Sequence, residues 1–509
     1  MKKRFNKVFI FILLAAFAIT VFSFSSCQSK NNNSDSENNS QNINNSEQEQ
    51  GNMQNLEEQT TEKILPDVPE VNYNGHEFNI LVTSDDGDLV RNDFYAEELT
   101  GDVLNDARYM RNIYIEAIYG VKINNISSGW SNGNGVNLIR KSSAAGDFAY
   151  DAAMTTVYDA CDLAVSGLIL DLKNVSYLDL SKSWWDQKAN RDLGIKGKMY
   201  FTTGDISQVV NDSIYAVLFN KKLAREYGLE NPYDLVKSGK WTYDKLAELG
   251  KSVKGDLDGN GIFDQNDLYG AIIEDDTMMS LISSVGERCA RINASGEIEL
   301  SLYNERTVLA VKKYTDWVFD KTSVYAYQRF SGTGDEIDAN FRRMFSNDQA
   351  LFLMRGMETI AEFRAMETDF GILPFPKLDE NQSDYYSPVG AWKAMFLSIP
   401  SVQEDIDRTA IILEALAAES LYTIRPAYYD KSLKGKHARD EESVEMLDII
   451  ISSKMYDFGW YYKFGDYTNH ILDLFRNYNN DFTSMYEKYQ SKAESDIQKI
   501  NDKFAELLG

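Results

Sequence analysis

Short apolar runs alternate with stretches of helical spacing through most of the chain. Residues 77–83 (EFNILVT) are apolar at their centre and run into Ser84-Asp85-Asp86-Gly87, the pattern of a strand ending in a turn. Residues 99–118 carry apolar side chains at helical spacing, and 121–126 read as a second strand. The Gly-rich loop Ser128-Gly129-Trp130-Ser131-Asn132-Gly133 follows it. Helical spacing returns to about Ser143, and 150–156 (YDAAMTT) form a third strand. Further on, 213–219 (SIYAVLF) predict a fourth strand, and Thr242 caps a helix with Leu246, Leu249 and Val253 on one face. Residues 369–376 (DFGILPFP) are a strand stopped by two prolines, and from about Glu404 the chain is largely helical. Strands alternating with helices predict an α/β layered fold with a mainly parallel sheet. Open sheets of that kind bind ligands outside the carboxyl ends of their strands, so the loops at 84–87, 129–133 and 155–158 are where a site is expected.

The first 26 residues have another texture. Lys2, Lys3, Arg4 and Lys7 precede an apolar run over 8–24, small residues follow at Ser25 and Ser26, and Cys27 comes next. This is the layout of a secretory signal peptide. The run is about long enough to span a thin bilayer, and the small residues before the cysteine argue for cleavage instead. Phe24-Ser25-Ser26-Cys27 resembles the lipobox of bacterial lipoproteins, with Phe24 where leucine is usual. The resemblance implies that Cys27 is diacylated and becomes the mature N-terminus, holding the protein on the outer face of the cell membrane through its lipid anchor alone. Residues 27–72 are then the lipidated cysteine and a tether. From 28 to about 67 the chain is rich in Asn, Ser, Gln and Glu, and it buries too little apolar surface to offset its ordering entropy.

Composition narrows the function classes. Hydrophobic residues make up 43% of the 509, enough for a substantial core. The 52 basic and 78 acidic side chains leave a net charge of −26, which argues against nucleic acid as a partner, because phosphate contacts need clustered Lys and Arg. Cys27, Cys161 and Cys289 form no disulfide framework or metal knuckle, and His76, His437 and His470 lie far apart, so zinc catalysis has little support.

Taken in order, several segments resemble one family. They are YDAAMTT followed by LAVSGLILDL, then IYAVLFNKKLAREYGLENPYDLVKSGKWTYDKL, MFSNDQALFLMRGM and FGILPFPK. Together they are similar to the extracellular solute-binding proteins of bacterial ABC importers, in particular the carbohydrate-binding, maltose-binding-protein-like group, over about residues 73 to 508. The resemblance implies an α/β, two-lobed periplasmic-binding-protein-like fold of type II, with crossover hinge segments and a ligand cleft between the lobes. It places 73–212 plus about 376–430 in lobe one, and 213–375 plus about 431–509 in lobe two. It further implies a carbohydrate ligand, importer permease subunits as partners, and no enzymatic activity.

Residues 256–267 (DLDGNGIFDQND) match a calcium loop of EF-hand type. Asp256, Asp258 and Asn260 hold the first, third and fifth places, Gly261 makes the turn, and the Ile262 carbonyl, Asp264 and Asp267 complete the set. Asp267 replaces the usual bidentate glutamate, and its shorter reach suggests weaker binding or a dockerin-like loop. Four acidic side chains this close repel one another without a cation, so a structural calcium is expected. The competing reading is an acidic surface turn.

The remaining candidates are weighed one by one. Gly129-Trp130-Ser131-Asn132-Gly133 matches the G-x-S-x-G nucleophile elbow, which would need an acid and then His437 or His470 to form a triad. The preceding VKINNI alternates apolar and polar residues, unlike the buried strand an elbow tops, so a loop whose Trp130 packs or meets ligand is the first reading. No phosphate-binding P-loop occurs, which leaves ATP to a partner. The 30 Tyr, 26 Phe and 7 Trp offer faces on which sugar rings stack. Trp130, Trp392 and Trp460 stand in Gly-containing or polar contexts and are candidates to line a cleft. Tyr215 lies at the predicted crossover, and Asp85, Thr156, Asp205 and Arg355 are polar residues at predicted strand ends or turns. Trp241 and Trp317, on helical patterns, are expected to be structural. The expected function is capture of a sugar or oligosaccharide for import. The alternatives are a surface hydrolase of carbohydrate or ester with Ser131 as nucleophile, and a sensor or adhesion lipoprotein.

Overall fold

A computed structural model describes residues 63–85, 91–363 and 365–507. The signal segment, Cys27, Asp86 and Gly87 lie outside the described residues. Two main sheets organise the rest. The first is ordered Met395–Ser398, β3 (Ala152–Thr156), β1 (His76–Val82), β2 (Val121–Ser127). The second is ordered Phe370–Leu373, β4 (Tyr215–Asn220), Ala350–Gly356, β5 (Tyr269–Ile273), Val324–Ala326. Each sheet is the floor of one lobe.

The sheets are mixed rather than mainly parallel. β1 runs parallel to β2 and β3, and β5 runs parallel to both its neighbours. The antiparallel pairings involve β4, which follows the crossover into the second lobe, and Met395–Ser398, which follows the return to the first. A segment arriving from the other lobe need not follow the right-handed βαβ path that makes neighbours parallel.

Local chemistry sets the element ends. The first long helix is Val103–Tyr119, not 99–118, because the Asp102 carboxylate accepts from the Leu104 and Asn105 amides and caps it there. Leu99 is left exposed. Thr242 caps Tyr243–Ser252 as its sequence suggests, accepting from the Lys245 amide at 3.3 Å, with Leu246 and Leu249 buried. That helix lies directly on β5: a Cβ at Gly270 would stand 2.1 Å from the Gly250 carbonyl oxygen, so the contact requires glycine. Trp241 and Trp317 are buried, and so are the free thiols of Cys161 and Cys289.

The C-terminal helices tie the lobes together. Ile406–Tyr422 packs on Val103–Tyr119, where the Arg111 guanidinium donates to Ser420 Oγ at 3.2 Å. The hydroxyl of Tyr233 in the second lobe bonds Ser443 Oγ at 2.7 Å at the start of Glu441–Ser452. The last helix, Phe482–Glu506, touches both lobes. Its Phe504 stacks on Tyr200, and its Asn501 accepts from the Ile298 amide. Lys63 and Ile64, expected as part of the tether, contact the first of these helices: Lys63 pairs with Glu419, and the Ile64 amide donates to Tyr422 Oη.

One buried carboxylate anchors the connecting stretch to this frame. The indole N–H groups of Trp184 and Trp185 both donate to Glu414, at 3.1 and 2.9 Å. Burial raises the Glu414 carboxyl from 4.5 to about 7, against the two indoles and the Asp179 amide, which favour its ionised form. The folded protein therefore holds this proton more tightly than the unfolded chain does. The stability it contributes is full below pH 4.5 and is lost as pH rises through about 7. We expect Glu414→Gln, which cannot titrate, to flatten the fall in melting temperature across that window. Parallel slopes for the variant and the parent, measured by thermal unfolding against pH, would sink this assignment.

Candidate functional site

The carboxyl ends of β1 and β3 carry the first group of side chains. Asp85, just past β1, accepts from the Trp130 amide at 3.2 Å. The Thr156 hydroxyl, at the end of β3, donates to Asn132 Oδ1 at 3.0 Å. Its neighbour Asp159 accepts from the Gly133 and Gly135 amides at 2.6 and 3.1 Å. The glycine-rich loop is thus pinned by three side chains. The Arg91 guanidinium lies 4.0 Å from the centre of the Trp130 ring, a stacked cation–π geometry.

Arg91 also faces a cavity of about 650 Å³ between the lobes. Its other charged walls are Asp212 on the crossover, Asp338, Arg355, Glu358 and Glu362 from the second lobe, and Lys393 on the segment returning to the first. Arg355 is there because its strand pairs with β4 in a register that sets Arg355 opposite Ala216 and Gly356 opposite Tyr215. Arg355 bonds Glu274 at 3.4 Å and Asp338 at 2.9 Å. Burial works against its charge, and the carboxylates of Glu274, Glu358 and Asp338 outweigh burial, so its proton is held more firmly than usual. Lys393 pairs with Glu358 and is raised in the same way, the carboxylate overcoming burial. Asp212 has a phenol for its partner: the Tyr428 hydroxyl donates to it at 2.7 Å. Burial pushes Asp212 up to about 7. The Tyr215 hydroxyl donates to Asp276 at 3.2 Å, and burial beside Glu274 and Asp275 raises Asp276.

The candidates from sequence divide accordingly. Arg355 lines the cavity, Trp130 reaches it through Arg91, and Asp85 and Thr156 hold the loop that carries Trp130. Tyr215 lies buried beside Arg355 in the sheet. Trp392, next to Lys393, is 51% exposed. Two candidates are placed elsewhere. Asp205 pairs with Arg425 at 2.7 Å and lines a separate cavity of about 520 Å³. Burial, opposed by Arg425, raises it to about 6. Tyr428 lines that cavity too, so the Tyr428–Asp212 bond stands between the two spaces. Trp460 is buried in the packing of Phe458–Tyr461, where Gly459 meets the Ala290 backbone so closely that a Cβ would sit 2.5 Å from its nitrogen. Its glycine neighbour signals tight packing and not a cleft.

Sequence reasoning missed Arg91, Asp212, Glu358 and Lys393. The available signal was position: Glu358 stands just past the Ala350–Gly356 strand, and Asp212 just before β4. Charge at a strand end was noted for Arg355 and not extended to its neighbours.

Ser131 sits in a different setting from a nucleophile elbow. β2 is an edge strand, mostly half-buried, and Ser131 is exposed. The His470 ring stacks on Tyr489 of the last helix, and the side chain of His437 lies outside the described residues. No hydrogen bond links Ser131 to a histidine among the described residues.

The acidic loop converges in part. Asp256, Asp258 and Asp267 bring carboxylate oxygens within 4.8 Å of one another. The Asp256 carboxylate accepts from the Gly259 and Gly261 amides, both at 2.7 Å, and so lies below its ordinary range. Gly261 takes φ 78°, the left-handed turn the pattern requires. Asp267 is buried, and Asp264, which accepts from the Asn266 amide, is not among the three converging carboxylates. Three convergent carboxylates fit a hard cation that takes oxygen ligands.

No protein-family model matches this sequence, and no curated protein matches it. Solved structures do match its fold. A cyclo/maltodextrin-binding protein complexed with maltotetraose aligns with a TM-score of 0.54 and 15% identity, over 84% of this chain and 98% of that one. An ABC substrate-binding protein from Listeria monocytogenes, in complex with cycloalternan, aligns at 0.51 and 14%, over 85% and 99%. UgpB from Mycobacterium tuberculosis, in complex with glycerophosphocholine, aligns at 0.51 and 12%, over 79% and 96%. With two mixed sheets, a chain that crosses between them and a charged cavity at the crossing, this chain has the two-lobed α/β fold of the ABC solute-binding proteins.

Proposed function

We propose that this chain is the solute-binding component of an ABC importer, capturing a sugar or oligosaccharide outside the cell. The observation that carries the reading is a cavity walled from both lobes, with Arg91 and Lys393 on one side and Arg355 and Glu358 on the other. A solute touching both walls has more contacts when the lobes are closed, and that difference drives closure. Carboxylates and cations lining one space suit a ligand rich in hydroxyl groups, and the half-exposed Trp392 beside Lys393 suits the C–H face of a sugar ring. The proteins of like fold complexed with maltotetraose and cycloalternan support a glycan, and the one with glycerophosphocholine supports a polar solute more broadly. Among the described residues no helix is long and apolar enough to cross a membrane. The reading places the body on the outer face of the membrane, held by lipid at Cys27 and working with permease subunits that supply transport. A glycan panel tests it by calorimetry and product analysis. We expect stoichiometric, saturable binding with the sugar recovered unaltered, weakened about tenfold or more in Asp212→Asn and Trp392→Ala. Progressive product release that disappears in Ser131→Ala would replace this reading with a hydrolase.

The same proposal includes a structural calcium in the loop 256–267, with Asp256, Asp258 and Asp267 as the carboxylates that hold it and Asn260, the Ile262 carbonyl and Asp264 completing the set. Its place, before β5 in the second lobe, suits fold support and not ligand capture. Chelation should lower the melting temperature of the parent and leave Asp258→Ala unchanged. Equal melting curves with calcium and with chelator would remove the ion from the account.

A further inference from the structure

A third cavity, of about 400 Å³, concentrates positive charge on a chain whose net charge is −26. Four cations line it: Lys188 and Arg191 on the helix Gln187–Asp192, Arg288 from the second lobe, and Lys454 beyond the helix Glu441–Ser452. Their counter-charges are few. Arg191 and Arg288 share one carboxylate, Asp192, at 2.8 and 3.2 Å. Lys454 pairs with Asp186 and reaches Asn211 Oδ1 at 3.2 Å. The Lys188 ammonium donates to the Ser452 carbonyl, and no carboxylate lies within 4.0 Å of it among the described residues. Asp384, the remaining acid in the lining, is exposed, and one of its oxygens accepts from the Ser383 hydroxyl at 2.6 Å. Burial and the repulsion of Arg191 and Lys454 hold the Lys188 ammonium below its ordinary range, against the attraction of Asp186. The pocket is short of negative charge.

We propose that this cavity is an anion site for a phosphate group, either orthophosphate or a phosphate monoester. A carboxylate presents two oxygens, whereas a phosphate presents three or four around a doubly charged centre. Four cations approaching from three segments, Lys188 and Arg191 from one helix and Arg288 and Lys454 from two other segments, are better matched by the phosphate. Arg91, Arg355 and Lys393 do not line this space, so the site is separate from the cavity assigned to the solute and does not depend on that assignment.

The test is calorimetric titration of the full chain with inorganic phosphate at constant ionic strength set by chloride, with glucose 6-phosphate as a second arm. We expect saturable one-site binding, weakened about tenfold or more by Lys188→Gln and, separately, by Arg191→Gln. Both side chains are at least partly exposed, so each variant should fold, which circular dichroism checks. Lys251→Gln removes the same charge from the exposed face of Tyr243–Ser252 and should leave binding unchanged. Tighter binding of orthophosphate identifies the free ion as ligand, and tighter binding of the ester identifies a phosphorylated solute. Absence of saturable binding overturns the proposal. So does binding that survives Lys188→Gln and Arg191→Gln, or falls equally in Lys251→Gln.

Discussion

Each main sheet is completed by chain that has come from the other lobe, and the rest of the structure depends on this exchange. β3 has β1 on one side, and its other side is filled by Met395–Ser398, about 240 residues later in the chain. The same segment exchanges hydrogen bonds with Thr202, and the Val157 amide donates to the Ala394 carbonyl. A buried sheet edge cannot leave its backbone groups unpaired, so the first lobe's sheet is complete only with the returning segment in place. The cavity between the lobes forms at this exchange because that is where polar strand ends and crossing segments gather.

Electrostatics then distinguishes spaces that the backbone leaves close together. The crossover puts Asp205 and Asp212 in different cavities, with Tyr428 bonded to the second and lining the space of the first. In the cavity between the lobes Arg355 and Lys393 are each matched by a carboxylate, while Asp212 accepts a hydrogen bond from the Tyr428 phenol. On the far side of Lys454 the balance reverses and cations outnumber their partners. A net charge of −26 describes none of these places individually.

Much of the architecture was legible because it is local. β1 to β4 appear as short apolar runs within one or two residues of their bounds, and Thr242 caps the helix expected of it. The first helix was read as too long because apolar spacing continues through Leu99, while the Asp102 cap decides where hydrogen bonding starts. The site was legible in part. Arg355, a candidate from its strand end, lines the cavity, but Arg91 and Lys393 follow no pattern of their own. Trp460 was misread because a tryptophan beside glycine looks alike in a cleft and in a tight core.

The sequence by itself determined the alternation of strands and helices and the acidic loop with its turn-forming glycine. These are properties of neighbours within about a dozen residues, where backbone preference, capping and side-chain spacing act. Only the tertiary structure decided that Arg91, Asp212, Arg355, Glu358 and Lys393 share one cavity, and that Lys188, Arg191, Arg288 and Lys454 share another. Those groupings depend on sheet register and on where the crossing segments pack, and Coulomb and desolvation energies depend on distances that no spacing along the chain contains.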